Sequence, residues 1–173
     1  MKEGGSGIAA VEVPTGLNPG RCLMGVVKGL DHIALTVSSL EKSLPFYVDL
    51  LGFEELERHR LEGETISTMA DTPGVVMQVV RLKTPDGSKV LLDLQQYVAP
   101  KGTTSNARLG MANHSHFAFK VKDIATIHGR LKQKGVEFVS APVAFALDHG
   151  AVRVVFLKDP DGFILELVEW PDE

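Results

Sequence analysis

Two histidines and two carboxylates stand at duplicated places in this chain. His32 lies in the run Leu30-Asp31-His32-Ile33-Ala34-Leu35-Thr36-Val37, and His116 in its echo, His114-Ser115-His116-Phe117-Ala118-Phe119-Lys120-Val121. Asp93 sits between Leu92 and Leu94 after the turn Pro85-Asp86-Gly87; Glu166 sits between Leu165 and Leu167 after Pro160-Asp161-Gly162. A histidine inside an apolar strand costs desolvation unless its ring nitrogens are paired. A carboxylate between leucines is likewise costly to bury without a cation or a donor. One divalent metal would satisfy all four groups. Two imidazoles and two carboxylates are donors of borderline softness, suited to Zn, Ni, Co, Mn or Fe.

The duplication extends to the elements that must position these side chains. Ile124 follows Leu40 by the same 84 residues that separate His116 from His32, and Gly135 follows Gly52 by 83. The offset from Asp93 to Glu166 is 73, so the first copy is the longer, with most of the excess around residues 64–75. The turn-to-carboxylate spacings, seven residues after Asp86 and five after Asp161, are both odd. With a strand period of two, each carboxylate therefore keeps the same facing relative to its turn. The first copy predicts a strand at 32–37 and a helix capped by Ser38 or Ser39. Leu40, Leu44, Tyr47, Val48 and Leu51 recur at helical spacing, and Gly52 stops the helix. Pro45 inside that pattern predicts a kink or a later start. Strands are predicted at 53–61, 75–82 and 89–97, with a short helix at 64–71 over the open side of the sheet. The second copy predicts a strand at 116–121, a helix at 124–134 ended by Gly135, and strands at 136–139, 152–157 and 163–170. Each copy reads β-α-β-β-β, an α+β chain.

Composition narrows the function classes. A 44% hydrophobic and 23% charged chain of 173 residues is an ordinary globular one. Its net charge of −4, without a basic cluster, argues against a nucleic-acid partner. No apolar run reaches the roughly 20 residues of a membrane helix, and the N-terminus lacks a secretory pattern. The lone Cys22 excludes an intramolecular disulfide framework and fits a reducing, cytoplasmic setting. Residues 1–28, rich in glycine and without sustained periodicity, read as a flexible extension in which 22–27 could form a short added strand. Residues 29–97 form the first module, 98–112 a polar linker and 113–173 the second module.

Three runs carry a resemblance: 30–37, Phe46-Tyr47-Val48-Asp49-Leu50-Leu51-Gly52-Phe53, and Lys158-Asp159-Pro160-Asp161-Gly162-Phe163-Ile164-Leu165-Glu166-Leu167. With the duplicated order they resemble the vicinal oxygen chelate superfamily over about residues 29–171. That superfamily includes glyoxalase I, bleomycin- and fosfomycin-resistance proteins, methylmalonyl-CoA epimerase and extradiol dioxygenases. The resemblance implies two βαβββ modules forming a cupped mixed sheet, with a divalent metal held by the first and last strands of each module. The matching positions are His32, Asp93, His116 and Glu166; Asp93 departs from the Glu common at its place and is one methylene shorter. It implies a lyase or isomerase that stabilises an enediolate or enolate, with Glu166 or Asp93 as the catalytic base. Two alternatives stay open. One is an Fe(II) dioxygenase using His32, His116 and Glu166 with Asp93 as a bystander. The other is a non-catalytic small-molecule or drug-binding protein. A small-molecule substrate and a homodimer are implied in each case. His114 is an alternative ligand, His149 a proton-transfer candidate, and Arg153 a candidate for a substrate carboxylate or a surface ion pair. His59 and His128 read as exposed. Phe46, Met69, Met77, Gln78 and Phe145 are pocket-lining candidates.

Overall fold

Two mixed four-stranded sheets repeat one topology. A computed structural model of the chain describes residues 27–105, 108–112, 114–147 and 150–171. The first sheet has the order β1-β4-β3-β2, from β1 (His32–Thr36), β2 (Glu54–Glu62), β3 (Val76–Lys83) and β4 (Leu91–Ala99). The second has the order β5-β8-β7-β6, from β5 (Phe117–Lys120), β6 (Val143–Leu147), β7 (Gly150–Lys158) and β8 (Ile164–Glu169). In each, the first strand runs parallel to the last and the other pairs are antiparallel. The α+β class and the internal repeat are as the sequence predicts.

Helices cover one side of each sheet. α1 (Leu40–Leu44) passes at Pro45 into a π-helical stretch, Pro45–Leu50. Proline cannot donate the ordinary helical bond and its ring crowds the preceding turn, so the winding changes at the residue that predicted a kink. Ser39 holds the cap position with extended backbone, although its side chain makes no cap bond. α3 (Ile124–Gln133) starts at Asp123, whose carboxylate accepts from the Thr126 N–H. α2 (Glu64–Met69) lies on the other side of the first sheet, where Ile66 packs with Val75, Met77, Val79 and Tyr97. This is the short helix predicted over the open face.

The second module corrects one strand. Residues 136–139 form only an isolated bridge, Phe138 to Leu157, and the edge strand proper is β6. The Val139 N–H still donates to the Phe156 carbonyl, and the Lys158 N–H to the Glu137 carbonyl. The edge is therefore one line interrupted at Ser140-Ala141-Pro142, where proline lacks the N–H that a ladder needs. β5 also begins one residue later than expected, leaving His116 just ahead of it. The predicted strand at 22–27 lies, apart from Val27, outside the described residues.

A single apolar core draws on both modules. Leu35, Val37, Tyr47, Phe53, Leu82 and Leu94 meet Ile124, Leu131, Val155, Leu157, Leu165 and Leu167 in it. Phe53 stands edge-on to Phe119 across the seam, with centroids 5.3 Å apart. The β7–β8 turn is tied to the first module by two carboxylates. Asp159 accepts from the Phe163 N–H (2.8 Å) and the Asp161 N–H (2.9 Å), and its other oxygen accepts from the Tyr47 hydroxyl at 3.0 Å. Asp161 accepts from the Ser38 N–H at 2.7 Å and from the Ser38 hydroxyl.

Burial raises the Asp159 carboxyl above its ordinary value, against the pull of its three donors. The folded state then holds the proton to higher pH than the unfolded state does. Stability from this group is greatest at low pH and falls as pH rises from 3.8 through the raised value. Urea denaturation should therefore show Asp159→Asn gaining on the wild type as pH rises above 3.8. Tyr47→Phe should cost about 1 kcal/mol at neutral pH, because a buried oxygen loses its donor.

Candidate metal and catalytic site

Strand alternation puts the four predicted residues on the sheet faces away from the core. His32, Ala34 and Thr36 share a face with Asp93, while Ile33 and Leu35 point the other way, Leu35 with Leu92 into the core. In the second sheet Ala118 pairs with Glu166, and Phe117 and Phe119 turn inward. The structure thus brings the four together as two pairs, one per module. His32 Nε2 is 3.9 Å from Asp93 Oδ2. His116 Nε2 is 3.1 Å from Glu166 Oε2. Among the described residues, no three His, Cys, Asp or Glu side chains gather into a metal-holding group.

The His32 ring is held by its neighbour. Its Nδ1 is 2.8 Å from Asp31 Oδ2, and this hydrogen bond lowers the Asp31 carboxyl. This contact leaves Nε2 on the side of Asp93, and metal-binding histidines are likewise oriented by a partner on the other ring nitrogen. On the second sheet the His116 ring stands edge-on to Phe156 at 5.2 Å. Val152 and Val154 are buried on that face, and Val143 and Phe145 are 45% and 43% exposed.

Arg81 is the residue that sequence reasoning missed. It lies on β3 directly across from Asp93. Its Nε donates to Asp93 Oδ1 at 2.8 Å and its Nη2 to Oδ2 at 2.8 Å, a bidentate pair around a carboxylate only 4% exposed. Its Nη1 reaches Glu57 Oε1 at 3.2 Å, and His59 Nε2 lies 3.2 Å from Glu57 Oε2. The hydrogen bonds that Arg81 donates to Asp93, with the nearby Asp93 and Glu57 charges, raise the guanidinium's pKa and keep it charged. Register could have found it. Lys83–Leu91 closes the β3–β4 ladder, and two residues further from the turn on each strand Arg81 faces Asp93.

The other candidates fall elsewhere. Arg153 pairs with Glu169 at 3.3 Å, the surface ion pair of its two readings. His128 stacks edge-on against Phe138. His114 lines a small cleft with Thr36, Ser38 and Asp161. Phe46 is in the shared core and Met77 under α2; Met69 is exposed, and Gln78 faces opposite to Met77. His149 lies outside the described residues. A cavity of about 600 Å³ is lined by Ile33, Phe53, Leu92, Phe117, Phe119 and Leu131 on the helix side of the sheets, and none of the four predicted residues borders it.

This topology and these paired side chains mark a known class. Residues 29–167 match the family model described as the Glyoxalase/Bleomycin resistance protein/Dioxygenase superfamily, and the chain belongs to that superfamily. It is 28% identical over 149 residues to a lactoylglutathione lyase of Pseudomonas aeruginosa, covering 80% of this chain and 81% of the relative. It is 26% identical over 141 residues to a catechol-2,3-dioxygenase of Bacillus subtilis, covering 80% of this chain but 40% of that protein. A glyoxalase family protein from Bacillus cereus superposes with a TM-score of 0.74 at 21% identity, over 85% of this chain and 97% of that one, a likeness of fold.

Removing the guanidinium should leave Asp93 buried and uncompensated. Arg81→Met is expected to cost about 2 kcal/mol by urea denaturation. A double-mutant cycle with Asp93→Asn should recover most of that as coupling; a coupling near zero would mean that the pair adds nothing to stability.

Proposed function

We propose that this protein is a metal-dependent enzyme that takes a small oxygenated substrate onto a divalent cation, in lyase or isomerase chemistry. The observation that carries this reading is the pairing of an imidazole nitrogen with a carboxylate on each open sheet face, at 3.1 and 3.9 Å. Such spacings suit two donors facing a common cation, and the Asp31–His32 hydrogen bond orients the ring as metal-binding histidines are oriented. His32, His116 and Glu166, with Asp93 as the fourth candidate, would hold the ion. When bound, it would supply a Lewis acid that gathers neighbouring oxygens and stabilises the negative charge developing on them.

The remaining roles belong to the chain. Glu166, 15% exposed beside His116, is the carboxylate free to exchange a proton with substrate. Asp93, clamped by Arg81, is poorly placed to do so. The valines and Phe156 near Glu166 exclude water from that side of the site. Because each pair belongs to a different module, we propose that a second copy of the chain completes the site, covering the exposed Val143 and Phe145 in a homodimer. No helix among the described residues is long and apolar enough to cross a membrane. The single cysteine fits a reducing, cytoplasmic compartment.

The Arg81–Asp93 clamp favours a second reading. With Asp93 engaged, His32, His116 and Glu166 make a two-histidine, one-carboxylate set suited to Fe(II) oxygen chemistry. Oxygen consumption with vicinal diol substrates separates it from lyase turnover.

Elemental mass spectrometry of the untagged protein should find about one equivalent of transition metal per chain, lost in a His116→Ala, Glu166→Ala double variant. Glu166→Gln should reduce turnover by about 100-fold or more on whichever substrate is accepted. Protein that neither retains nor takes up metal would sink the catalytic reading in favour of a non-catalytic binding protein.

A further inference from the structure

The two modules treat their carboxylates differently. β3 and β4 close at Lys83–Leu91, and β7 and β8 at Lys158–Ile164. Two steps beyond each closing pair, Arg81 faces Asp93 in the first module and Phe156 faces Glu166 in the second. The repeat thus keeps the carboxylate and exchanges its cross-strand neighbour, a cation for an aromatic ring.

The physical consequence is direct. Asp93 has a full positive charge bonded to both of its oxygens, and that charge is itself shared with Glu57. A divalent ion arriving at Asp93 would meet a neutralised donor with a guanidinium alongside, which repels it. Glu166 has an imidazole at 3.1 Å and a phenyl ring on its cross-strand side. Where Asp93 has a guanidinium across the ladder, Glu166 has a ring.

We infer that Arg81 is the first module's built-in substitute for a metal: the ion is held through Glu166 and His116, and Asp93 is not among its ligands. This rests on the metal-dependent reading above and narrows its donor set. Arg81 is then a positioning residue. It holds Asp93 as a fixed ion pair on the open face of the first sheet, leaving Glu166 as the carboxylate that binds the ion and exchanges protons.

The test is a Co(II) titration of metal-stripped full-length protein, followed by visible absorption and by calorimetry. It compares the wild type, Asp93→Asn, Glu166→Gln and the Arg81→Met, Asp93→Leu double variant. The double variant removes the ion pair as a unit and stays informative if Asp93→Asn folds poorly, which circular dichroism would reveal. The expected result is Co(II) affinity within about threefold of wild type for both first-module variants, and a loss of about 100-fold or more for Glu166→Gln. If the first-module variants lose Co(II) as severely as Glu166→Gln, Asp93 is a ligand and the inference is overturned, while the metal-dependent reading stands. If even the wild type takes up no Co(II), both fall together.

Discussion

Each module has four strands and little helix, and neither can cover its own apolar face. Leu82, Leu92 and Leu94 of the first sheet and Leu157, Leu165 and Leu167 of the second are all nearly or wholly buried in one common core. Burial of this kind stabilises by about 25 cal/mol for each Å² of apolar surface removed from water, and here that surface is removed only when both modules meet. Tyr47 and Ser38 of the first module, bonded to Asp159 and Asp161 of the second, fix the register of that meeting. The relative placement of the two His–carboxylate pairs within one chain is set by this seam, a core that neither pair enters.

Placing the core on one side of each sheet leaves the other side for chemistry. Alternation along a strand sends leucines inward and turns the residue between them outward, which is why Asp93 and Glu166 are flanked by leucines and yet face away from them. On that outer side the sheets diverge. The first carries a row of polar and charged groups from His32 through Asp93, Arg81 and Glu57 to His59 and is partly covered by α2. The second carries valines and phenylalanines around one His–Glu pair. The two halves share one frame and differ at single cross-strand positions, Arg81 in one and Phe156 in the other.

Much of this was legible in the order of residues. The repeat, the β-α-β-β-β order of each half, the short helix after β2 and the like facing of Asp93 and Glu166 relative to their turns follow from spacing and period, which are local properties of a chain. The edge strand of the second module was misplaced because 136–139 and 143–147 are both apolar and short. Only pairing with β7 distinguishes a single bridge from a ladder. Phe46 both enters the core and lines a cleft with Pro45 and Lys158, and Gln78 lies opposite Met77, because residue type and spacing do not say where a cavity will open.

The sequence by itself determined that two imidazoles and two carboxylates would recur at repeated positions, each carboxylate with the same facing relative to the turn before it, because strand period is a local property. Which face lies away from the core was decided by the packing of the two sheets. Nor did the sequence determine what each carboxylate would meet. Arg81 is twelve residues before Asp93, and Phe156 is ten before Glu166, separations with no meaning until a hairpin closes and brings them opposite one another. That juxtaposition, a guanidinium on one carboxylate and an aromatic ring by the other, was decided by the tertiary structure. Cross-strand partners are fixed by register, and register comes from the turn and the shared core acting together.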